Sequence, residues 1–332
     1  LNIIKEKLGN ILNQAGPAQL GTLISPTATL EELYLAQKLT RALGSDNIDS
    51  RLKQVDFSDQ LVVPRFPWLG QSIVDFEENQ AALLIGSNLR KDQPIINHRL
   101  RKAALDGASV MVLNPIDYEF NFPLDYKLIT PPNSITSELS AILKAAIKLS
   151  SEKAETALTK LLKDATINET HRAIADTLFN SDDAIVLLGN FTTTHPQLAL
   201  LRTLSGEIAK LTHSKLGYLS EAVNSSGAWL AGAVPHRLVG GIKNSNIGLS
   251  SHEMLAQKLK AYLLLGVEPE LDCWDTRIAQ QAMQDADLVV ALTAFQSEAL
   301  NSYADVLLPI ATFAETSGTY INNEGTVQCF NG

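Results

Sequence analysis

The stretch "ALLIGSNLRKDQPIINHRLRKAALDGASVMVLNP" (residues 82–115) runs from a short apolar segment through Gly86, Ser87 and Asn88 to Pro94, then through a helix-spaced segment, and returns to a second apolar segment. Neither apolar segment alternates with polar residues, so each predicts a strand buried on both faces. Between them Ile95, Ile96, Leu100, Ala103 and Ala104 fall on one predicted helical face, with Pro94 at the start and Gly107 at the stop. Strand, helix, strand with continuously apolar strands is the repeating unit of a parallel sheet.

The same unit recurs outward in both directions. "AIVLLGN" (184–190) leads through "TTTHP" to Leu198, Leu201, Leu204, Ile208 and Leu211 at helical spacing. "AYLLLGVEPE" (261–270) leads to Ile278, Ala279, Ala282 and Met283, and "ADLVVALTAF" (286–295) and "ADVLLPIATF" (304–313) complete the set. Near the start, "LGTLIS" (20–25) precedes a helix in which Thr29 and Glu32 have capping-box spacing. Leu33, Leu35, Ala36, Leu39, Ala42 and Leu43 are its expected apolar face, and Gly44 its stop. The fold class is α/β.

Residues 134–180 break the alternation. "ITSELSAILKAAIKLS", "EKAETALTKLLKDA" and "NETHRAIADTLF" are three successive helical stretches, read as a helical segment inserted between strands. "VVPRFPWLGQ" (62–71) and "DYEFNFPLDYKLITPPN" (117–133) are read as Pro- and aromatic-rich packing loops.

The 332 residues are enough for two domains, and an apolar content of 45% supports a real core. With 27 basic and 36 acidic residues the net charge is −9, and no Lys/Arg cluster is dense enough to hold a nucleic-acid backbone. Two cysteines, Cys273 and Cys329, supply neither a disulfide framework nor an iron–sulfur cluster. The longest apolar runs have strand length, and nothing in them reads as a signal peptide. The chain begins without methionine and ends in "GTVQCFNG", which reads as a segment of a longer polypeptide.

The strand ends "GSNLRK", "GNFTTT" and "GVEPEL" each carry one glycine, so no dinucleotide fingerprint or P-loop follows any strand. A nucleophile elbow is missing, and His98, His171, His195, His213, His236 and His252 form no metal-spaced pair. Asp272 and Asp275 flank Cys273 and disfavour its thiolate. Glu31–Glu32, Glu77–Glu78 and Asp182–Asp183 suit helix starts and polar turns. What remains are strand ends with Gly and Asn, namely Gly86 to Asn88, Gly189–Asn190, and Gly266 before Glu268. These residues make strand-to-helix turns, and in an open α/β sheet such ends are also where ligands lie.

Three segments together resemble the molybdopterin oxidoreductase family, in particular its branch in the peripheral arm of bacterial respiratory NADH:quinone oxidoreductase (complex I). They are "TATLEELYLAQKLTRALGSDNIDSRLKQ" (27–54), the opening stretch at 82–115, and "YADVLLPIATFAETSGTYINNEGTVQ" (303–328). The resemblance implies two Rossmann-like parallel-sheet domains, a discontinuous one from 1–56 plus 214–332 and an inserted one at 57–213. It makes "AETSGTYINNEGTVQ" (314–328) the descendant of a pterin-holding loop. The implied relic positions are Gly86, Asn88, Gly266, Glu268, Gly318, Thr319, Asn322 and Glu324. Gly318 and Gly325 read as turn glycines of a hairpin in which "NNEG" makes the connection.

The family's catalytic members often place a Cys, selenocysteine, Ser or Asp metal ligand just after an "N-x-D" segment. Here that segment reads "NIDSRLKQVDF" (47–57), with only Ser50 and Asp56 as conceivable ligands. The expectation is therefore a chain without catalytic residues, metal or pterin cofactor. Its iron–sulfur clusters would lie before residue 1 of the same polypeptide. Its partners would be that cluster-bearing region and other complex I peripheral-arm subunits, at the cytoplasmic face of the inner membrane. The alternatives are a formate dehydrogenase-like catalytic subunit with a molybdenum or tungsten pterin, and a free-standing nucleotide-binding α/β protein.

Overall fold

The computed structural model describes residues 1–150 and 161–332, so most of the helical stretch expected at 152–165 lies outside the described residues. The chain divides into two compact units, Leu1–Phe66 with Ala222–Gly332, and Pro67–Glu221. The strands, in chain order, are β1 (Leu20–Ile24), β2 (Ile48–Asp49), β3 (Ala81–Ile85), β4 (Ser109–Asn114), β5 (Tyr126–Ile129), β6 (Ala184–Leu188), β7 (Lys215–Tyr218), β8 (Arg237–Leu238), β9 (Ile242–Lys243), β10 (Ala261–Leu265), β11 (Leu288–Thr293), β12 (Val306–Pro309), β13 (Gly318–Ile321) and β14 (Val327–Phe330).

In the first unit five parallel strands run in the order β12-β11-β10-β1-β2. Successive residues of a strand go to opposite faces, as the two-residue repeat requires. Tyr262, Leu264, Val289 and Ala291 join Met254, Ala279, Ala282 and Met283 on one face, while Ala261, Leu288 and Val290 join Leu8 on the other. Antiparallel hairpins β8–β9 and β13–β14 complete the unit.

In the second unit the order is β5-β4-β3-β6-β7, again all parallel. Leu83, Ile85, Met111 and Val186 face the helices Ile135–Leu149, Glu169–Phe179 and Leu198–Leu211. Leu84, Val110, Val112 and Leu187 face Leu89, Ile96 and Leu100. Helices thus cover both faces, and for this reason the strands read as unbroken apolar runs.

Several expectations are corrected. The limits of the inserted unit move from 57–213 to 67–221. β7 pairs in register with β6, and residues 57–66 are held by the first unit, where Arg237 Nη2 donates to the carbonyls of Val63 (2.7 Å) and Pro64 (3.1 Å). The stretch 117–133 is not all loop, because β5 is an edge strand with alternating exposure. On the Leu30–Ala42 helix Leu35 and Leu39 point to solvent, 62% and 53% exposed, while Gln37 and Thr40 turn inward. Those two polar side chains are satisfied there: Gln37 accepts from Arg41 Nη1 at 2.6 Å, and the Thr40 hydroxyl pairs with that of Thr22 at 2.7 Å. Ile95 is likewise exposed beside the buried Ile96.

Candidate functional site

In the first sheet the chain leaves β1 toward β2 on one side and places β10, β11 and β12 on the other. The gap beyond the carboxyl ends of β1 and β10 is therefore a topological switch point, the usual ligand position of an open α/β sheet. A crevice of about 110 Å³ lies there. Ser25, Thr27 and Thr29 follow β1, Leu265 and Gly266 end β10, Ile310 and Phe313 follow β12, and Glu32, Thr316 and Tyr320 complete the polar lining. Gly266 takes a φ of +61°, which lets β10 turn away, and a Cβ there would meet only Ser25 at 3.6 Å. Among the described residues no Lys, Arg or His lines the crevice.

Two amides at the start of the Leu30–Ala42 helix, those of Thr29 and Glu32, are already used. Thr29 Oγ1 accepts from the Glu32 amide, and Glu32 Oε2 accepts from the Thr29 amide (2.8 Å) and hydroxyl (2.9 Å), forming the capping box that the spacing predicts. Glu31 reaches the β13–β14 hairpin, where the Thr319 amide donates to Oε2 at 3.0 Å and the Thr319 hydroxyl to Oε1 at 2.7 Å. Burial opposes the charge on Glu31, yet the Thr319 hydroxyl and neighbouring amides outweigh it and hold its carboxyl below the ordinary value. Burial, with the Glu32 charge second, pushes the Tyr320 hydroxyl up.

The buried Asn224 is the second fastening of the hairpin. Its Oδ1 accepts from the Ile321 amide at 2.9 Å and its Nδ2 donates to the Ala28 carbonyl at 2.7 Å. A Cβ on Gly227 would overlap Asn224, and one on Gly318 would overlap Thr29, so both glycines permit close approach. Gly318 is thus a strand residue rather than the expected turn residue, whereas Gly325 takes a φ of +87° in the connection. Asn322 and Glu324 close that connection: Asn322 Oδ1 accepts from the Thr326 amide at 2.8 Å and Glu324 Oε1 from the Thr326 hydroxyl at 2.9 Å.

The "N-x-D" segment is spent on structure. Asn47 Nδ2 donates to the Ala18 carbonyl at 2.8 Å, and its Oδ1 accepts from the Leu249 amide at 2.8 Å. Asp49 and Arg51 make a buried two-pronged ion pair, Nε to Oδ1 at 2.8 Å and Nη2 to Oδ2 at 2.9 Å. The Ser251 amide adds a donor to Asp49, and the Arg51 guanidinium lies 4.6 Å from the Phe57 ring centre. Ser50 is buried, and Asp56 accepts from the amide and hydroxyl of Ser58. Among the described residues no group of three or more His, Cys, Asp or Glu is placed to hold a metal ion. Burial, then Asp272 and Glu270, push the Cys273 thiol up to about 12, which disfavours its thiolate.

Of the sequence-derived positions, Gly266 lines the crevice, while Gly318 and Thr319 sit in the strand that flanks it. Glu268 begins the Pro269–Asp272 turn of helix and donates its amide to Asp272 Oδ2 at 2.8 Å. Gly86 and Asn88 belong to the other unit. There the switch point lies between β3 and β6, and the chain fills it. Gly189 packs so tightly that a Cβ would come within 2.5 Å of the Gly86 oxygen and of Ser87, and the Phe191 amide donates to the Gly86 carbonyl at 3.0 Å. Asn88 supplies the backbone carbonyl that accepts from the Lys91 and Asp92 amides. The reading by sequence passed over Ser25, Thr27, Phe313, Tyr320 and Asn224. The run "SPTAT" directly after a buried strand was a usable signal for the first two, and nothing local marks Asn224.

Open parallel sheets wound on both faces, with a crevice at a switch point, define a Rossmann-like α/β protein. The chain belongs to the molybdopterin oxidoreductase family, which it matches over residues 1–332. One of its relatives is an F420-dependent formate dehydrogenase alpha subunit of Methanococcus maripaludis, 26% identical over 100% of this chain and 56% of the relative. Another is an NADH-quinone oxidoreductase subunit of Rhizobium meliloti, 25% identical over 97% of this chain and 42% of the relative. This chain therefore spans about half the length of the curated relatives it matches. Acetylene hydratase from Pelobacter acetylenicus shares the fold with a TM-score of 0.60 at 15% identity, over 97% of this chain and 53% of that one.

Proposed function

We propose that this chain is a cofactor-free, structural member of its family, a scaffold within the peripheral arm of respiratory NADH:quinone oxidoreductase. The observation that carries the reading is the buried Asp49–Arg51 pair. It fixes the segment after which catalytic members often carry a metal ligand, and of the two conceivable ligands there Ser50 is buried and Asp56 accepts from the Ser58 amide and hydroxyl. A metal–dithiolene centre needs a placed ligand or a supporting set of neighbours, and a buried salt bridge offers neither. The crevice lining agrees: a phosphate-bearing pterin would meet the Glu32 carboxylate and, among the described residues, no cation. The residues present do not fit the cofactor, and no reaction step is assigned to this chain.

In this reading electrons from NADH pass through flavin and iron–sulfur clusters outside residues 1–332, and this chain buttresses the cluster-bearing part and docks neighbouring subunits. Among the described residues no helix is long and apolar enough to cross a membrane, which agrees with a peripheral place at the cytoplasmic face of the inner membrane. The relative from Rhizobium meliloti supports the complex I assignment, and the formate dehydrogenase relative supports the rival one, a catalytic subunit holding molybdenum or tungsten.

The deciding experiment is oxidative pterin fluorescence with elemental analysis for Mo and W, on the native polypeptide carrying this chain, purified from its own membranes. A blank is expected. Near-stoichiometric pterin and metal would overturn the scaffold reading in favour of the enzyme.

A further inference from the structure

We propose that the crevice at the β1–β10 switch point is a receptor for a small organic cation: a guanidinium or primary ammonium on a short aliphatic stem. The charge that would recognise it is Glu32. Its Oε2 is engaged by Thr29, while Oε1 has no partner among the described residues. The Tyr320 hydroxyl, close enough for Glu32 to raise its pKa, is also without a partner among the described residues and offers a second acceptor. Ser25 Oγ and Thr27 Oγ1 are hydrogen-bonded at 2.8 Å and the Thr27 amide donates to Ser25 Oγ at 3.3 Å, which leaves acceptor capacity on the Thr27 hydroxyl.

The opposite wall suits an aliphatic stem. Leu265, Ile310 and Ala311 are apolar, and Phe313 is 83% exposed, so its ring can close over a bound cation. Anions are disfavoured by the same geometry. The positive end of the Leu30–Ala42 helix, which would attract them, is already matched by Glu31 and Glu32 in its first turn. A carboxylate with one oxygen left for a ligand, beside hydroxyls and apolar residues, binds a cation by charge-assisted hydrogen bonds. The inference rests on the reading above only in taking this crevice to be free of a phosphate-bearing cofactor.

The test is isothermal titration of the native polypeptide carrying this chain with n-propylguanidinium, and separately with inorganic pyrophosphate, at about 150 mM salt. At that ionic strength the attraction of the overall negative charge is largely screened. Glu32→Gln is the decisive variant, because glutamine retains the capping box and removes only the charge. Phe313→Ala changes an exposed side chain and leaves the fold intact. Saturable propylguanidinium binding is expected, at least about fivefold weaker in Glu32→Gln and about two- to threefold weaker in Phe313→Ala, with no heat from pyrophosphate. Absence of saturable binding, equal affinity in Glu32→Gln, or binding of pyrophosphate to the unaltered chain would each overturn the proposal. The pterin and metal assay reads a different quantity, so the two readings fail separately.

Discussion

The two sheets reach their switch points with nearly the same backbone. Gly86 after β3 has a φ of 59° and Gly266 after β10 a φ of 61°, and each is followed by one short helical turn and then a longer helix. Beyond that point they diverge. After β6, Gly189, Phe191 and Thr192 fold back onto Gly86, and the Thr192 hydroxyl donates to the Gly189 carbonyl at 2.6 Å, so the position is filled by chain. After β1 the chain instead continues through "SPTAT" into a capped helix, and the space stays open. A shared strand–glycine–helix pattern therefore sets where a ligand position can be, while the segment after the neighbouring strand determines whether room is left. The two are also stabilised differently: the filled one by backbone packing with neutral side-chain hydrogen bonds from Asn114 and Thr192, the open one by bonds that involve the Glu31 and Glu32 carboxylates.

The largest expected effect lies beneath the open switch point. Asp49→Asn would leave the buried Arg51 without its counter-charge, and a loss of about 3–5 kcal/mol is expected in urea denaturation. A loss under about 1 kcal/mol would show that the pair is replaceable and would reopen that segment as a ligand position.

Next come the two glycine-lined ends. Gly189→Ala forces a Cβ against backbone, and about 1–3 kcal/mol of destabilisation is expected from overpacking. Gly266→Ala has room and pays mainly for its left-handed φ, about 1–2 kcal/mol. If Gly266→Ala instead proved the more damaging of the two, the contrast between filled and open ends would be broken.

The smallest effect is the pH dependence of the hairpin fastening. The folded carboxyl of Glu31 is held below its ordinary value of 4.5, so its contribution is complete above that pH and is lost as pH falls through the lower folded value. Glu31 is exposed, so the contribution should stay under about 1 kcal/mol. Comparing acid unfolding of Glu31→Gln with the unaltered chain measures it: the variant should lack that segment of the pH profile. An unchanged profile would show that Thr319 gains nothing from the charge.

Much of this architecture was legible residue by residue. The strands at 81–85, 109–114, 184–188, 261–265 and 288–293 announce themselves because both faces of each are buried, so no polar residue interrupts them. The capping box at Thr29 and Glu32 was equally plain, since its atoms lie within one helical turn. β5 escaped because it is a four-residue edge strand between Pro-rich segments, with every second side chain exposed. Leu35 and Leu39 misled because the inward side of their helix meets polar partners, Thr22 among them, which a periodicity argument does not see.

The sequence by itself determined the α/β class, the Thr29–Glu32 capping box and the family resemblance. Each depends on neighbours in the chain or on a spacing of a few residues. Tertiary structure alone decided that one switch point is filled and the other open, that Asn224 and Glu31 fasten a hairpin about a hundred and nearly three hundred positions away, and that the Ser251 amide, about two hundred positions away, reaches Asp49. Those outcomes turn on which side chains from distant segments reach the same few ångströms. The strength of a carboxylate–amide or carboxylate–guanidinium contact is set by that meeting and by the water it excludes.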